Sequence, residues 1–250
     1  MELNREKWNE VDVVNYSKLL LTYSKGEEKS KWEKRIVNTS LPCIAVPSTI
    51  VDSFAKQIST GNYRQFLDIM PMDNLSESLV VGKVINRIKN VDDYICYLEK
   101  YIYKCDSWAQ TDILKYPIKE SNESLFWNKA REYLISPTLF VRRCGLLILM
   151  KGFLQEKYIE DVLMLLDTMI NENEYYVLMM IAWLLCEAVI KCRDKTIKYI
   201  KECKHCDFVI NKAISKCSDS YRITQADKNY LKSLRRKNVC KIQVNKLEYC

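Results

Sequence analysis

If the more hydrophobic stretches of the chain are laid over one another, Trp108, Arg143, Met179 and Lys212 fall in register, at intervals of 35, 36 and 33 residues. A period of that size is the length of one antiparallel helix pair and signals helical repeats of the HEAT kind. From residue 64 onward the same plan recurs: an amphipathic stretch, a few polar residues, then a more apolar stretch. The segment from Asp93 leads into Trp108; that from Leu125 breaks at Ser136-Pro137 and resumes at Leu139; that from Tyr158 breaks at 171–174 and resumes at Tyr175; that from Thr196 breaks near Asp207 and resumes at Phe208. One pair cannot bury its apolar face alone, so neighbours stack into a solenoid whose second helices line a concave face. The expected fold is therefore an all-α, HEAT-like helical-repeat solenoid, with that concave face as the binding surface. No Gly/Ser or Pro-rich linker divides the chain, so residues 1–250 are expected as a single domain, with 238–250 as a frayed tail.

Composition agrees with this. Apolar residues make up 48% of the 250, enough for a continuous core, and only five glycines and five prolines interrupt helix formers. Eleven cysteines is an odd count in a large chain, and the N-terminal Met1-Glu-Leu-Asn-Arg-Glu-Lys has no apolar signal core. Reduced thiols and a cytoplasmic location are expected. The longest apolar stretch, Tyr175 to Ile190, is too short to span a bilayer and contains Glu187, so no membrane association is expected. Thirty-nine basic residues against thirty-two acidic ones give a net charge of +7, which suits a polyanionic partner.

The chemistry a chain like this can perform is narrowed by what it lacks. A single histidine, His205, excludes a Ser-His-Asp triad and multi-histidine metal sites. Cys203-Lys-His-Cys206 has the spacing of half a zinc site, but no second Cys-x-x-Cys accompanies it, and Cys192 and Cys217 stand at no recognised spacing. It reads as a turn between helices, and no metal or cofactor is expected. Glycine loops of the nucleotide-binding kinds do not occur.

One constellation remains. Trp108-Ala-Gln-Thr-Asp112 puts an indole and a carboxylate on one helix face. In the next pair Arg143, preceded by Arg142, takes the register of Trp108, and in the pair after that Trp183 takes the register of Asp112. Lys83 with Arg87, and Lys212 with Lys216, repeat the four-residue spacing in the flanking helices. These residues would converge on the concave side. Tryptophans in second helices are usually core residues, and the same charges read as well as a solvated or ion-paired surface.

At these residues the chain resembles the AlkD-like family of DNA alkylation repair proteins, which are HEAT-repeat DNA glycosylases. Ser107-Trp-Ala-Gln-Thr-Asp112 resembles the family's Trp-x-x-x-Asp signature, and Phe140-Val-Arg-Arg-Cys-Gly-Leu146 its Arg-Arg helix. Glu174 to Glu187, around Trp183, resembles its Gly-Trp-x-Leu-Arg-Glu helix, and Asp219-Ser-Tyr-Arg-Ile223 follows near the end. The four motifs keep the family's order and spacing over roughly residues 60 to 235. The resemblance implies hydrolysis of the N-glycosidic bond of purines alkylated at N3 or N7 in double-stranded DNA, by one chain acting alone and without a cofactor. It implies that Asp112 stabilises the cationic sugar and places water. By the same resemblance Trp108 and Trp183 pack on the deoxyribose and backbone, and Arg143, or else Arg142, binds a flanking phosphate. The base is not drawn into an enclosed pocket.

The chain also departs from the pattern. Where the family carries Gly-Val-Arg-x-Pro-x-Leu-Arg, it reads Ala45-Val-Pro-Ser-Thr-Ile-Val-Asp-Ser53, without either arginine; Cys186 replaces an arginine and Ala182 a glycine, while Glu187 remains. A non-catalytic binder of damaged or branched DNA therefore stands as the alternative, and a protein scaffold as a third possibility.

Overall fold

The computed structural model describes residues 2–237; the expected tail, 238–250, lies outside them. Among the described residues there are fourteen α-helices, one 3-10 turn at Glu120–Asn122 and no strand. The chain divides into two compact units, the first ending at Pro117 and the second beginning at Ile118.

The first unit holds α1 (Glu10–Leu21), α2 (Glu27–Val37), α3 (Ser48–Ile58), α4 (Tyr63–Ile69), α5 (Leu75–Ile85), α6 (Val91–Ile102) and α7 (Trp108–Asp112). Asparagine starts four of them. Asn9, Asn62, Asn74 and Asn90 each accept, through the side chain, a backbone N–H of the first turn of α1, α4, α5 and α6, satisfying a donor that would otherwise have no partner. α5 is the centre of this unit, with α3, α6 and α7 packed on it. Gly82 makes the close approach possible: a Cβ there would stand 2.8 Å from both Ile113 Cδ1 and Tyr101 Oη.

The second unit holds α8 (Glu123–Leu134), α9 (Leu139–Gly152), α10 (Ile159–Asp167), α11 (Tyr175–Lys191), α12 (Arg193–Glu202), α13 (Asp207–Asp219) and α14 (Gln225–Ser233). Here the helical-repeat packing is plain. α9 packs on α11 and α11 on α13, while α8 backs α9 and α12 joins α10 to α11. The inner helices are the apolar ones, because they are covered on two sides: α11 buries ten residues, Val177 to Val189. Gly145 lets α9 and α8 meet, since a Cβ there would lie 2.9 Å from Ala130 O. The helices expected from the periodicity, α6 to α13, are present in the expected order, and of the expected pairs α8–α9 is the one packed most closely.

His205 sits in the α12–α13 connection at 2% exposure, and its Nε2 is buried without a hydrogen-bond partner. Among the described residues no cluster of three or more His, Cys, Asp or Glu could hold a metal. Burial pushes the imidazole below its ordinary value of 6.5, with Arg236 adding to the effect and Asp167 opposing it. A base depressed on folding stays neutral in the native state and takes up its proton on unfolding, so its contribution to stability is present above about pH 6.5 and is lost as pH falls below it. Melting measured from pH 7 to pH 5 is expected to show an acid loss of stability that His205→Asn reduces. Identical pH profiles for the two proteins would remove His205 as the cause.

Candidate functional site

α7 is a helix of five residues and could not persist alone. Its Ser107 and Gln110 form a capping box. Gln110 Oε1 accepts from Asp106 N at 3.0 Å, Ser107 N at 3.0 Å and Ser107 Oγ at 2.9 Å, while Nε2 donates to Ser78 Oγ of α5 at 2.7 Å. Tyr101 Oη of α6 donates to Gln110 O at 3.3 Å. Ser107, Gln110 and Thr111 are fully buried. The turn before α7 is tied down as well, because the Asp106 carboxylate accepts from Thr39 Oγ1, Ser40 N and Ser40 Oγ.

With Gln110 and Thr111 turned inward, Trp108 and Asp112 take the remaining side of α7, and both are half-buried. Thr111 Oγ1 lies 3.1 Å from Trp108 O and 3.4 Å from Asp112 Oδ1. The helix ends at Ile113, whose carbonyl accepts from Asn86 Nδ2 at 2.9 Å, and Asn86 Oδ1 accepts from Lys115 N at 2.7 Å. Tyr94 Oη donates to Lys115 O at 2.7 Å. Both ends of the segment carrying Trp108 and Asp112 are thus held by side chains of neighbouring helices.

Immediately beyond α7 lies a cleft of about 350 Å³ lined by Asp52, Lys83, Asn86, Arg87, Ile113 and Lys115. Lys83 Nζ is 3.2 Å and Arg87 Nη2 3.0 Å from Asp52 Oδ1, and Arg87 Nη1 donates to Lys83 O at 2.8 Å. The hydrogen bond from Arg87 holds the Asp52 carboxyl below its ordinary value. Lys83 and Arg87, paired by spacing in the sequence, do share one site.

In the second unit Arg142 and Arg143 part company. Arg142 is bonded through its whole fork: Nε to Glu172 Oε2 at 2.7 Å, Nη2 to Glu172 Oε1 at 3.2 Å, and Nη1 to the carbonyls of Ser136 at 2.9 Å and Pro137 at 3.1 Å. It pins the turn before α9 to the turn before α11. Arg143 is buried on α9 at 5% exposure and donates from Nη1 to Tyr176 O of α11 at 2.6 Å.

Trp183 on α11 is half-buried, and Lys216 Nζ of α13 stands 5.9 Å from the centroid of its ring, a cation–π contact. Lys212 is exposed, with Nζ 5.7 Å from the Phe208 ring. Arg222, from the last of the four motifs, donates with both Nη atoms to the Glu187 carboxylate, at 3.0 Å for Nη1 to Oε2, so the third and fourth motifs are joined by an ion pair. Cys186, next to Glu187, is held below its ordinary pKa by a hydrogen bond from Cys217 against the opposing effect of burial.

The structure therefore brings Lys83 and Arg87 together beside the end of the Trp108–Asp112 helix, and Trp183 together with Lys216. Trp108 and Asp112 belong to the first unit, Arg143 and Trp183 to the second. Residues to which the sequence motifs gave no role are Gln110, Asp52 and Lys115. Ser107-x-x-Gln110 is legible as a capping box once α7 is placed, whereas no local signal marks Asp52, which lies more than thirty residues from either cation it meets.

A family model described as DNA alkylation repair enzyme matches residues 19–224. No curated protein matches the chain.

Proposed function

The chain belongs to the DNA alkylation repair enzyme family, and on that premise we propose that it is a DNA glycosylase that releases cationic N3- or N7-alkylated purines from duplex DNA. The observation that carries the proposal is α7, a five-residue helix braced from α5 and α6 so that Trp108 and Asp112 share its outward side, next to a cleft with three cationic side chains.

The chemistry asks little of the leaving group. Alkylation at N3 or N7 gives the purine a positive charge, and when the bond from the sugar C1′ to the base nitrogen breaks, the electron pair neutralises it. The costly species is the oxocarbenium-like sugar left behind. A carboxylate fixed beside it opposes that charge without having to reorganise. Asp112 supplies it and orients the water whose oxygen bonds to C1′; the water's proton passes to Asp112 or to solvent, leaving an abasic site and a neutral base. Trp108 packs against the deoxyribose, and Trp183 and Lys216 against the backbone. Lys83, Arg87 and Lys212 supply phosphate contacts, and Arg143 a further one. Arg142, the alternative phosphate contact, has its Nε and both Nη atoms bonded inside the protein.

The direct test is release of 3-methyladenine or 7-methylguanine from methylated duplex DNA by the purified protein. Binding without release supports the second reading, a non-catalytic binder of damaged or branched DNA. One observation favours that reading: the stretch 45–53 supplies a carboxylate, Asp52, to the cleft where cations would meet a phosphate. Absence of DNA binding at low salt would exclude both readings.

A further inference from the structure

The cleft beyond α7 has an arrangement that the motifs do not explain. Lys83 stands in the last turn of α5 and Arg87 in the turn just beyond it, where the helix dipole favours cations. Their side chains are 24% and 28% exposed, so each is largely screened from water, and they share one oxygen of a carboxylate that is itself 51% exposed. Arg87 Nη1 is fixed on the Lys83 carbonyl, which leaves Nη2 as the donor aimed at Asp52. Lys115 lines the same cleft with its backbone held on both sides, by Asn86 and by Tyr94, and its ammonium makes no ion pair among the described residues. Three cations thus face one carboxylate. The cleft keeps an excess of positive charge even with Asp52 in place, and its single internal anion is the most exposed member of the ion-pair cluster.

We propose that this cleft is a subsite for one backbone phosphate of nucleic acid, in which Lys83, Arg87 and Lys115 bind the phosphate and Asp52 is a built-in competitor that the phosphate displaces. The proposal rests on the DNA-binding reading above and adds to it a residue that lowers affinity. Displacement is easy in physical terms. A half-exposed ion pair contributes little to stability, because water solvates both partners nearly as well, whereas a phosphate meets the Arg87 donors and gains Lys115 in addition. Asp52 then acts as a brake on binding to undamaged duplex, keeping an excess of lysine and arginine from holding the protein on any DNA it meets. Because the cleft begins at Ile113, the residue after Asp112, a phosphate seated there registers the strand against α7.

The test uses Asp52→Asn, which keeps the shape and removes the charge, together with Lys83→Ala/Arg87→Ala in both backgrounds, each checked for an unchanged thermal midpoint. Binding of a short unmodified duplex at low salt is expected to tighten about fivefold in Asp52→Asn, an increment typical of releasing a surface ion pair. That gain should vanish when Lys83 and Arg87 are also replaced. A second probe, inorganic phosphate followed by backbone amide shifts, should perturb residues 83–87 and 113–115 at lower concentration in Asp52→Asn than in the wild type. Unchanged or weaker duplex binding in Asp52→Asn would overturn the proposal, because it would make Asp52 a brace for the two cations and not their competitor, and would leave DNA binding itself intact. If the wild type bound no duplex while phosphate still perturbed these amides more readily in the variant, the anion subsite would stand and the DNA reading would fall.

Discussion

Asp112→Asn is expected to slow release of 7-methylguanine from methylated duplex about a hundredfold, the rate equivalent of roughly 3 kcal/mol of electrostatic stabilisation, while binding of undamaged duplex stays within about twofold because the substitution removes no phosphate contact. The amide keeps the volume of the carboxylate on α7 and removes the charge that, in the proposed mechanism, opposes the cationic sugar. The effect should therefore appear in the single-turnover rate of base release and not in the dissociation constant. Full activity in Asp112→Asn would end the assignment of Asp112. Equal losses in rate and in binding would point to a disturbed α7 rather than to a missing charge.

Gln110→Ala is expected to be the costliest single substitution near the site. Three donors, Asp106 N, Ser107 N and Ser107 Oγ, converge on one amide oxygen in the interior, and the amide nitrogen reaches Ser78 on α5. Removing the side chain orphans those buried groups and opens a void, and the two effects together cost about 3 kcal/mol. Chemical denaturation should show that loss. Base release should fall as well, since α7 has too few residues to hold its own geometry. Gln110→Glu separates the two roles of the amide: it retains the acceptor oxygen but replaces the donor to Ser78, and places a charge where exposure is zero, so it should not rescue stability. A loss below about 1 kcal/mol for Gln110→Ala would mean that water replaces the amide and that the network does not brace the helix.

Much of the second unit was legible because its helices satisfy two demands at once. α9 and α11 are largely apolar, as helices covered on two sides must be, and the breaks within the pairs coincide with Ser136-Pro137 and the polar run 171–174. The register of Trp108, Arg143 and Trp183 on second helices followed from the same period. Before residue 64 no repeat was apparent, and α1, α2 and α3 were found only in the structure; their apolar positions are mixed with exposed ones such as Val11, Val14 and Trp32, which blurs the periodic signal. α7 proved far shorter than its partners, because the chain leaves the helix at Ile113, where Asn86 takes the carbonyl.

The identities of the candidate residues were also legible, and their surroundings were not. Arg142 and Arg143 are neighbours in the chain with the same chemistry, yet one is spent on Glu172, thirty residues away, and the other on a carbonyl of α11. Lys83 and Arg87 could be paired by spacing along one helix, while the carboxylate between them comes from α3.

Trp108-Ala-Gln-Thr-Asp112 was singled out by a spacing, and spacing along a helix is a local property: 3.6 residues per turn puts positions four apart on one side whatever surrounds them. In the same way the repeat period determined by itself that the chain would be all-helical and built of pairs. Only the tertiary structure decided which side of α7 faces inward, through Gln110 and Ser78, and which cations near it are already answered, through Asp52. Those outcomes depend on the distances between charged and buried polar groups that lie far apart in the chain, and the energy of such groups changes with separation and burial in a way no local pattern encodes.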